Sequence, residues 1–286
     1  MNGNPIDLHC HSTASDGALP AAELVARAAG RGGKVLAVTD HDCLVGLPAA
    51  HDAAQQLDVH LLPGVEISVT WNKHTLHILG LGIDPDNAQL QTGLSHIRHG
   101  RVERARRMAA SLAQVGVMDT FVGAMALCAN PEMIGRTHFA RFLVESGQVR
   151  NVQSVFRKYL AKGKPGYVPH EWARLEDVLG WIHAAGGLAV IAHPGRYDLG
   201  TTSLTTLFTE FKALGGDAIE VVSGSHTQDQ TLKFALHAQH YGFLASAGSD
   251  FHAPGEGGRD VGWTAALPPI CQPIWAHWGL TGTEPL

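Results

Sequence analysis

Short apolar runs recur along the chain, and each stops at a cluster of polar or ionisable residues. Residues 6–8 run into His9-Cys10-His11, residues 35–39 into Asp40-His41-Asp42, and residues 187–192 into His193-Pro194-Gly195. Residues 218–222 end in Ser223-Gly224-Ser225-His226, and residues 243–247 in Gly248-Ser249-Asp250-Phe251-His252. Runs of this length bounded by glycine and polar residues read as buried strands. A helical pattern over residues 20–31 separates the first two: Pro20 suits the first turn, Glu23 complements the positive end of the helix dipole, and Gly32-Gly33 stop it. A second helix over 48–57 leads to a strand at 59–62, Glu66 follows Gly64, and His77 sits inside the apolar segment 76–83. Strand, helix and strand, with polar groups delivered at the strands' C-terminal ends, predict an α/β fold, either a (β/α) barrel or a doubly wound sheet.

His9 and His11 are two residues apart, so on a strand both imidazoles leave the backbone on the same side. Asp16 follows in a loop closed by Gly17. Imidazoles mixed with carboxylates are ligands for divalent cations. Their recurrence at successive strand ends singles out His9, His11, Asp16, His41, Glu66, His193, Asp250 and His252, with His77 as a ninth. The 18 histidines of the chain gain meaning only through this placement.

At 286 residues and 45% hydrophobic, the chain can bury a large α/β core with an inserted subdomain. No apolar run reaches the roughly 18 residues a membrane span needs, and the N-terminus enters the first motif without a basic, apolar leader. A cytoplasmic protein without a membrane role is expected. The four cysteines, Cys10, Cys43, Cys128 and Cys271, show no C-x-x-C spacing, which argues against a disulfide framework and against a cysteine zinc site. Between residues 98 and 164 the balance shifts to twelve Lys and Arg against four acids, in a chain whose net charge is −5. Helices are predicted there at 100–115, 137–146 and 152–162, and most of the basic residues read as a solvated helical face. The Pro- and Trp-containing tail from residue 268 is expected to pack on the exterior.

His9-Cys10-His11, Thr39-Asp40-His41-Asp42, Gly64-Val65-Glu66, His77, Ala192-His193-Pro194 and Gly248-Ser249-Asp250-Phe251-His252 resemble the successive motifs of the PHP (polymerase and histidinol phosphatase) phosphoesterases. Ser15-Asp16-Gly17, Ile67-Ser68, Ile83-Asp84, Gly135-Arg136-Thr137-His138 and Ser223-Gly224-Ser225-His226 resemble most closely the branch of bacterial 3',5'-nucleoside bisphosphate phosphatases and related 5'-3' exoribonucleases. The resemblance implies a distorted (β/α)7 TIM-like barrel, split into residues 1–97 and 167–286 by a basic helical insertion at 98–166. It implies three divalent cations: His9, His11, Glu66 and Asp250 on one, Glu66, His77 and His193 on a second, and Asp16, His41 and His252 on a third. Manganese is the first expectation and iron or zinc the alternatives, while Asp40 and Asp42 stand behind the ligands and orient them.

The implied reaction is attack of a metal-bound hydroxide on the 3'-phosphate of a nucleotide such as adenosine 3',5'-bisphosphate, leaving AMP and phosphate. Exoribonucleolytic cleavage of short 5'-phosphorylated RNA is the alternative. Amidohydrolase-type C–N hydrolysis and a non-catalytic metal-binding module are further ones, and no obligate protein partner is indicated. Expected substrate contacts are Arg136, His138, Lys164, Tyr167, His170, Arg196, Ser223 and His226.

Overall fold

Each apolar run that ends in a polar cluster folds as a strand in the computed structural model, which describes residues 3–256 and 259–281. The strands are β1 (Gly3–Asn4), β2 (Ile6–Cys10), β3 (Val35–Val38), β4 (His60–Leu61), β5 (Gly64–Trp71), β6 (His74–Leu81), β7 (Ala173–Arg174), β8 (Leu188–Ile191), β9 (Ala218–Ser223), β10 (Leu244–Gly248) and β11 (Thr264–Ala265). The α-helices are α1 (Ala21–Gly30), α2 (Leu47–Gln56), α3 (Ala88–Ala113), α4 (Thr120–Ala126), α5 (Arg136–Glu145), α6 (Val152–Val155), α7 (Leu175–Ala184), α8 (Thr201–Ala213) and α9 (Gln228–Tyr241).

The fold is mixed α/β. One sheet runs β2-β3-β4, all parallel, and a second runs β10-β9-β8-β6-β5-β7. Single bridges link the two sheets at both flanks, Cys10 to Phe251 beyond β10 and His41 to Glu66 in β5. Strand β6 runs antiparallel to both its neighbours. The expected strand–helix alternation breaks there because Asn72 and Lys73, with φ of 44° and 65°, form a two-residue reversal between β5 and β6, the backbone that a tight hairpin requires. His77 consequently lies within β6, opposite Ser68, rather than at a strand's C-terminal end.

Interior side chains come from both sheets: Ile6, Leu8, Val35, Ala37, Leu79, Leu81, Val190, Val222 and Ala247 form one buried cluster. The C-terminal segment departs from expectation. Ile274 and Trp275 are buried in that same cluster, and the Ala245 N–H donates to the Gln272 carbonyl at 2.7 Å. An interior lined by aliphatic side chains at the N-terminal ends of the strands has to be covered, and this apolar tail covers it. Outside the strands, α7, α8, α9 and the first half of α3 pack through Val178, Ile182, Leu207, Phe208, Phe211, Phe234, Leu90 and Leu94.

Helix α3 begins at Ala88 rather than near residue 100, since the Asn87 side chain accepts the N–H groups of Gln89 and Leu90 and caps it there. Its second half supplies Ala105, Met108 and Leu112 to a separate cluster with Phe139, Ala140, Leu143, Val155 and Leu160. The last helix of this region opens as α6 and continues as a π-helical turn at Phe156–Leu160.

Ile274→Ala is expected to destabilise the protein by about 2–5 kcal/mol in urea unfolding, the cost of an unfilled core methylene cavity. A wild-type midpoint would mean that the tail only lies against the outside.

Candidate metal centre

The nine residues singled out in the sequence converge. His9 and His11 come from the end of β2, His41 from the end of β3, Glu66 from β5, His77 from β6, His193 from the turn after β8, and Asp250 and His252 from the turn after β10. Three site residues carry backbones in the left-handed region, Asp42 (φ 44°), His193 (φ 27°) and Asp250 (φ 53°). Non-glycine residues hold such conformations where the surroundings fix them, commonly at functional sites.

Glu66 is the centre of the cluster. Its Oε1 lies 2.9 Å from His77 Nδ1, 3.0 Å from His193 Nε2 and 3.4 Å from His9 Nε2, and its Oε2 lies 2.9 Å from His41 Nδ1 and 3.4 Å from His11 Nε2. Asp250 Oδ1 stands 3.4 Å from His11 Nε2 and 3.5 Å from His9 Nε2. Asp16 Oδ1 stands 3.4 Å from His252 Nε2 and 3.9 Å from His41 Nε2. Four overlapping donor groups result: His11, Asp16, His41 and His252; His9, Glu66 and His193; His9, His11 and Asp250; His41, Glu66 and His77. His77 Nδ1 and His193 Nε2, expected on one ion with Glu66, lie 3.3 Å apart and each within 3.0 Å of Glu66 Oε1.

Burial works against charge on Glu66, but the imidazoles of His41, His77 and His9 outweigh it and hold the carboxyl well below its ordinary range. Burial pushes His11 down to about 3, aided by His252, and His77 down to about 4. His11 and His77 are thus neutral at physiological pH and keep a lone pair for a cation, whereas at His9, His41 and His252 burial is outweighed by the neighbouring carboxylates, which raise all three, His252 to about 9. The buried atoms His11 Nδ1, Asp16 Oδ1, His41 Nδ1 and Glu66 Oε2 have no hydrogen-bond partner, although His41 Nδ1 and Glu66 Oε2 face each other. Buried polar atoms are rarely left so. An unsatisfied set of nitrogen and oxygen donors without thiolate fits divalent metal ions.

Asp40 and Asp42 contact no imidazole among their hydrogen bonds. Asp40 accepts from the Ser12 N–H and hydroxyl and from the Ser15 hydroxyl, which fixes the loop carrying Asp16. Asp42 accepts from the Ser68 N–H at 2.7 Å and hydroxyl at 2.9 Å and pairs with Arg101.

A cavity of about 100 Å³ opens over the donors. Arg101, Arg104, Arg136 and Arg196, with Phe156 and Trp172, also line its wall. Among the expected substrate contacts, the structure brings Arg136 and Arg196 to this wall. It does not bring there His138, whose Nδ1 accepts the Gly135 N–H, or the exposed Lys164, or Tyr167. His170 packs on Trp172, the Ser223 hydroxyl faces Ser225, and His226 Nε2 accepts the Gly195 N–H at 3.0 Å.

Three charged residues of the site went unmarked in the sequence. Arg101 and Arg104, counted with the solvated face, are each only 7% exposed. They share the buried stripe of α3 with Leu94, Ile97, Met108 and Leu112, so arginine inside an apolar helical period was the available signal. Arg106, Arg107, Arg150, Arg157, Lys158, Lys162 and Lys164 are exposed, as a solvated face requires. Glu220, the third, is a carboxylate in the middle of the apolar run that forms β9.

A PHP domain profile matches residues 7–174. The chain belongs to the PHP domain family. It is 61% identical over 270 residues, 94% of this chain and 95% of the relative, to a 3',5'-nucleoside bisphosphate phosphatase from Chromobacterium violaceum. It is 40% identical to a 5'-3' exoribonuclease from Haemophilus influenzae, over 94% of this chain and 97% of that one. A structure of an amidohydrolase from Chromobacterium violaceum, with bound sulfate and no metal, superposes with a TM-score of 0.94 at 57% identity, covering 98% of this chain and 99% of that one. No described helix of this PHP chain is long and apolar enough to cross a membrane.

Glu66→Gln is expected to abolish hydrolysis and to strip divalent metal from the purified protein, read by elemental analysis after dialysis. Chelation of the wild type should remove the metal while leaving the far-ultraviolet dichroism and a cooperative melt intact, because the apolar clusters are separate from the donors. Cooperative unfolding on chelation would make the cations structural.

Proposed function

We propose that this chain is a metal-dependent phosphomonoesterase that removes the 3'-phosphate from 3',5'-bisphosphonucleotides such as adenosine 3',5'-bisphosphate. The observation that carries the reading is the pairing of a buried donor cluster with two arginines that have no carboxylate partner among the described residues, all on one small cavity. Arg104 and Arg136 rest against the rings of Trp172 and Phe156, at 5.1 and 5.7 Å. Burial, then the neighbouring Arg136 and Arg101, push Arg104 down to about 9, and burial lowers Arg136 as well. Leaving guanidinium groups in such surroundings is unfavourable until an anion arrives. The curated relative from Chromobacterium violaceum, similar over nearly its full length, supports the same substrate class.

The nine donors would hold three divalent cations, manganese first among them, with Glu66 shared between ions. Such cations supply an activated water and neutralise charge on the phosphoryl and leaving oxygens. The chain's own residues do the rest. Asp40 fixes the Asp16 loop, and Arg196 holds Asp250 through a 2.5 Å ion pair. Arg104 and Arg136 take the phosphate that is not cleaved, and the insertion carrying Arg136 covers the site from bulk water. For the scaffold we infer closure of β2, β3, β5, β6, β8, β9 and β10 into a distorted barrel, supported by the bridges at both flanks and by an interior cluster drawn from both sheets.

A second reading, 5'-3' exoribonuclease action on short 5'-phosphorylated RNA, is favoured by the 40% identity to the Haemophilus influenzae relative. Rates on adenosine 3',5'-bisphosphate, 5'-phosphorylated oligoribonucleotides, p-nitrophenyl phosphate and simple amides, each with manganese, separate these readings. A protein active only on oligoribonucleotides or only on amides would overturn the first. Arg136→Ala is expected to lower kcat/KM for the bisphosphate about ten- to a hundred-fold, the worth of one charged hydrogen-bond pair, and to leave p-nitrophenyl phosphate nearly untouched. Equal losses on both substrates would assign Arg136 to the scissile phosphate or to the fold.

A further inference from the structure

Glu220 belongs to none of the donor groups, yet it is fully buried in β9 between Ala218 and Val222. A carboxylate enclosed by strands is strongly unfavourable unless both oxygens are satisfied. Both are. His9 Nδ1–H donates to Oε1 at 3.1 Å, and the backbone N–H of His193 donates to Oε2 at 2.5 Å. One side chain therefore ties the end of β2 to the turn after β8, and it joins the two histidines whose Nε2 atoms both approach Glu66 Oε1.

Each bond constrains something specific. With Nδ1 committed to Glu220, His9 has only Nε2 to offer a cation, and that atom faces Glu66, Asp250 and His11. His193 has φ of 27°, and its N–H bond to Glu220, with the Gly195 N–H bond to His226, holds the turn in that conformation. Space for the contact comes from Gly248 in β10, where a Cβ would lie 2.2 Å from His9 Cβ and 2.6 Å from Glu220 Oε1.

We propose that Glu220 is a positioning residue of the metal centre, keeping His9 as the Nδ1–H tautomer and fixing the His193 turn so that both Nε2 lone pairs converge beside Glu66. A hydrogen-bonded carboxylate behind a ligating imidazole sets its tautomer and orientation. The inference rests on the metal reading above.

Glu220→Gln keeps the side-chain shape, but its amide offers one acceptor where two donors arrive, so one bond is lost. Manganese titration followed by electron paramagnetic resonance should show affinity weakened about ten- to a hundred-fold in this variant, with the melt of the chelator-treated protein near wild type. If the variant fails to fold, the wild type decides: in zinc-loaded, 15N-histidine-labelled protein, the His9 signal, assigned by its loss in His9→Gln, should report a protonated Nδ1 and a metal-bound Nε2. Equal manganese affinity in a folded Glu220→Gln protein, or a His9 bound through Nδ1, would overturn the positioning role while leaving the metal reading intact. A wild type that takes up neither metal overturns both.

Discussion

A carboxylate with no access to water sets the terms for this fold. Five imidazole nitrogens approach Glu66 within 3.4 Å, and they must be delivered from four places along the chain: the end of β2, the end of β3, β6 and the turn after β8. Convergence on one point exceeds what relaxed strand ends can supply, and the backbone bends where it happens, at Asp42, His193 and Asp250. Each bend is locked by polar bonds. Asp42 is held by Ser68 and Arg101, His193 by Glu220, and Asp250 by its N–H to the His9 carbonyl and its side chain to Arg196. The strain and the buried charges are stabilised by one another, so the site is a single network rather than nine separate ligands.

Helix α3 carries this network into a second, helical core. Its first half is part of the core around β5 and β6, its second half is part of the cluster it shares with α5 and α6, and the two buried arginines lie where these halves meet. Arg101 reaches Asp42 at the end of β3, and Arg98 donates to the Asp42 carbonyl at 2.8 Å. Arg141 on α5 donates to the Asp16 carbonyl and pairs with Glu256. Helices α3 and α5 are therefore anchored to the loops that hold the donors.

The strands that end in polar clusters, helices α1, α2, α5 and α6, and the nine residues that converge were legible because each depends on local chemistry: an apolar run, a cap, a histidine at a strand end; β5, α4, α7, α8 and α9 were not read. The reversal of β6 was not read, although Asn72-Lys73 marks it, because the pattern of strand and helix before it suggested uninterrupted alternation. The tail from residue 268 is short and rich in proline, with no period to say which side of a strand layer it faces, and only the assembled interior gives Ile274 and Trp275 their place. Arg104 and Glu220 show a further limit. Charge counts treat such residues as solvent-facing, and what reverses that is a partner far away in sequence, Trp172 for one and His9 for the other.

The charges around the cavity divide into neutralised and free. Arg101 closes on Asp42, Arg196 on Asp250 and Arg141 on Glu256. Arg104 and Arg136 keep their charge against aromatic faces, which accept a cation without satisfying its hydrogen-bond donors. Across the cavity, Asp16, Glu66 and the Oδ1 of Asp250, the oxygen turned away from Arg196, supply the negative charge that divalent cations require. A loaded site thus presents two positive walls of different chemistry, one of metal and one of guanidinium. A neutral amide offers nothing to the second wall, and a simple phosphate monoester can satisfy only one wall fully. A substrate with two separated phosphates satisfies both, and it matches in charge the two places where this chain leaves charge unpaired.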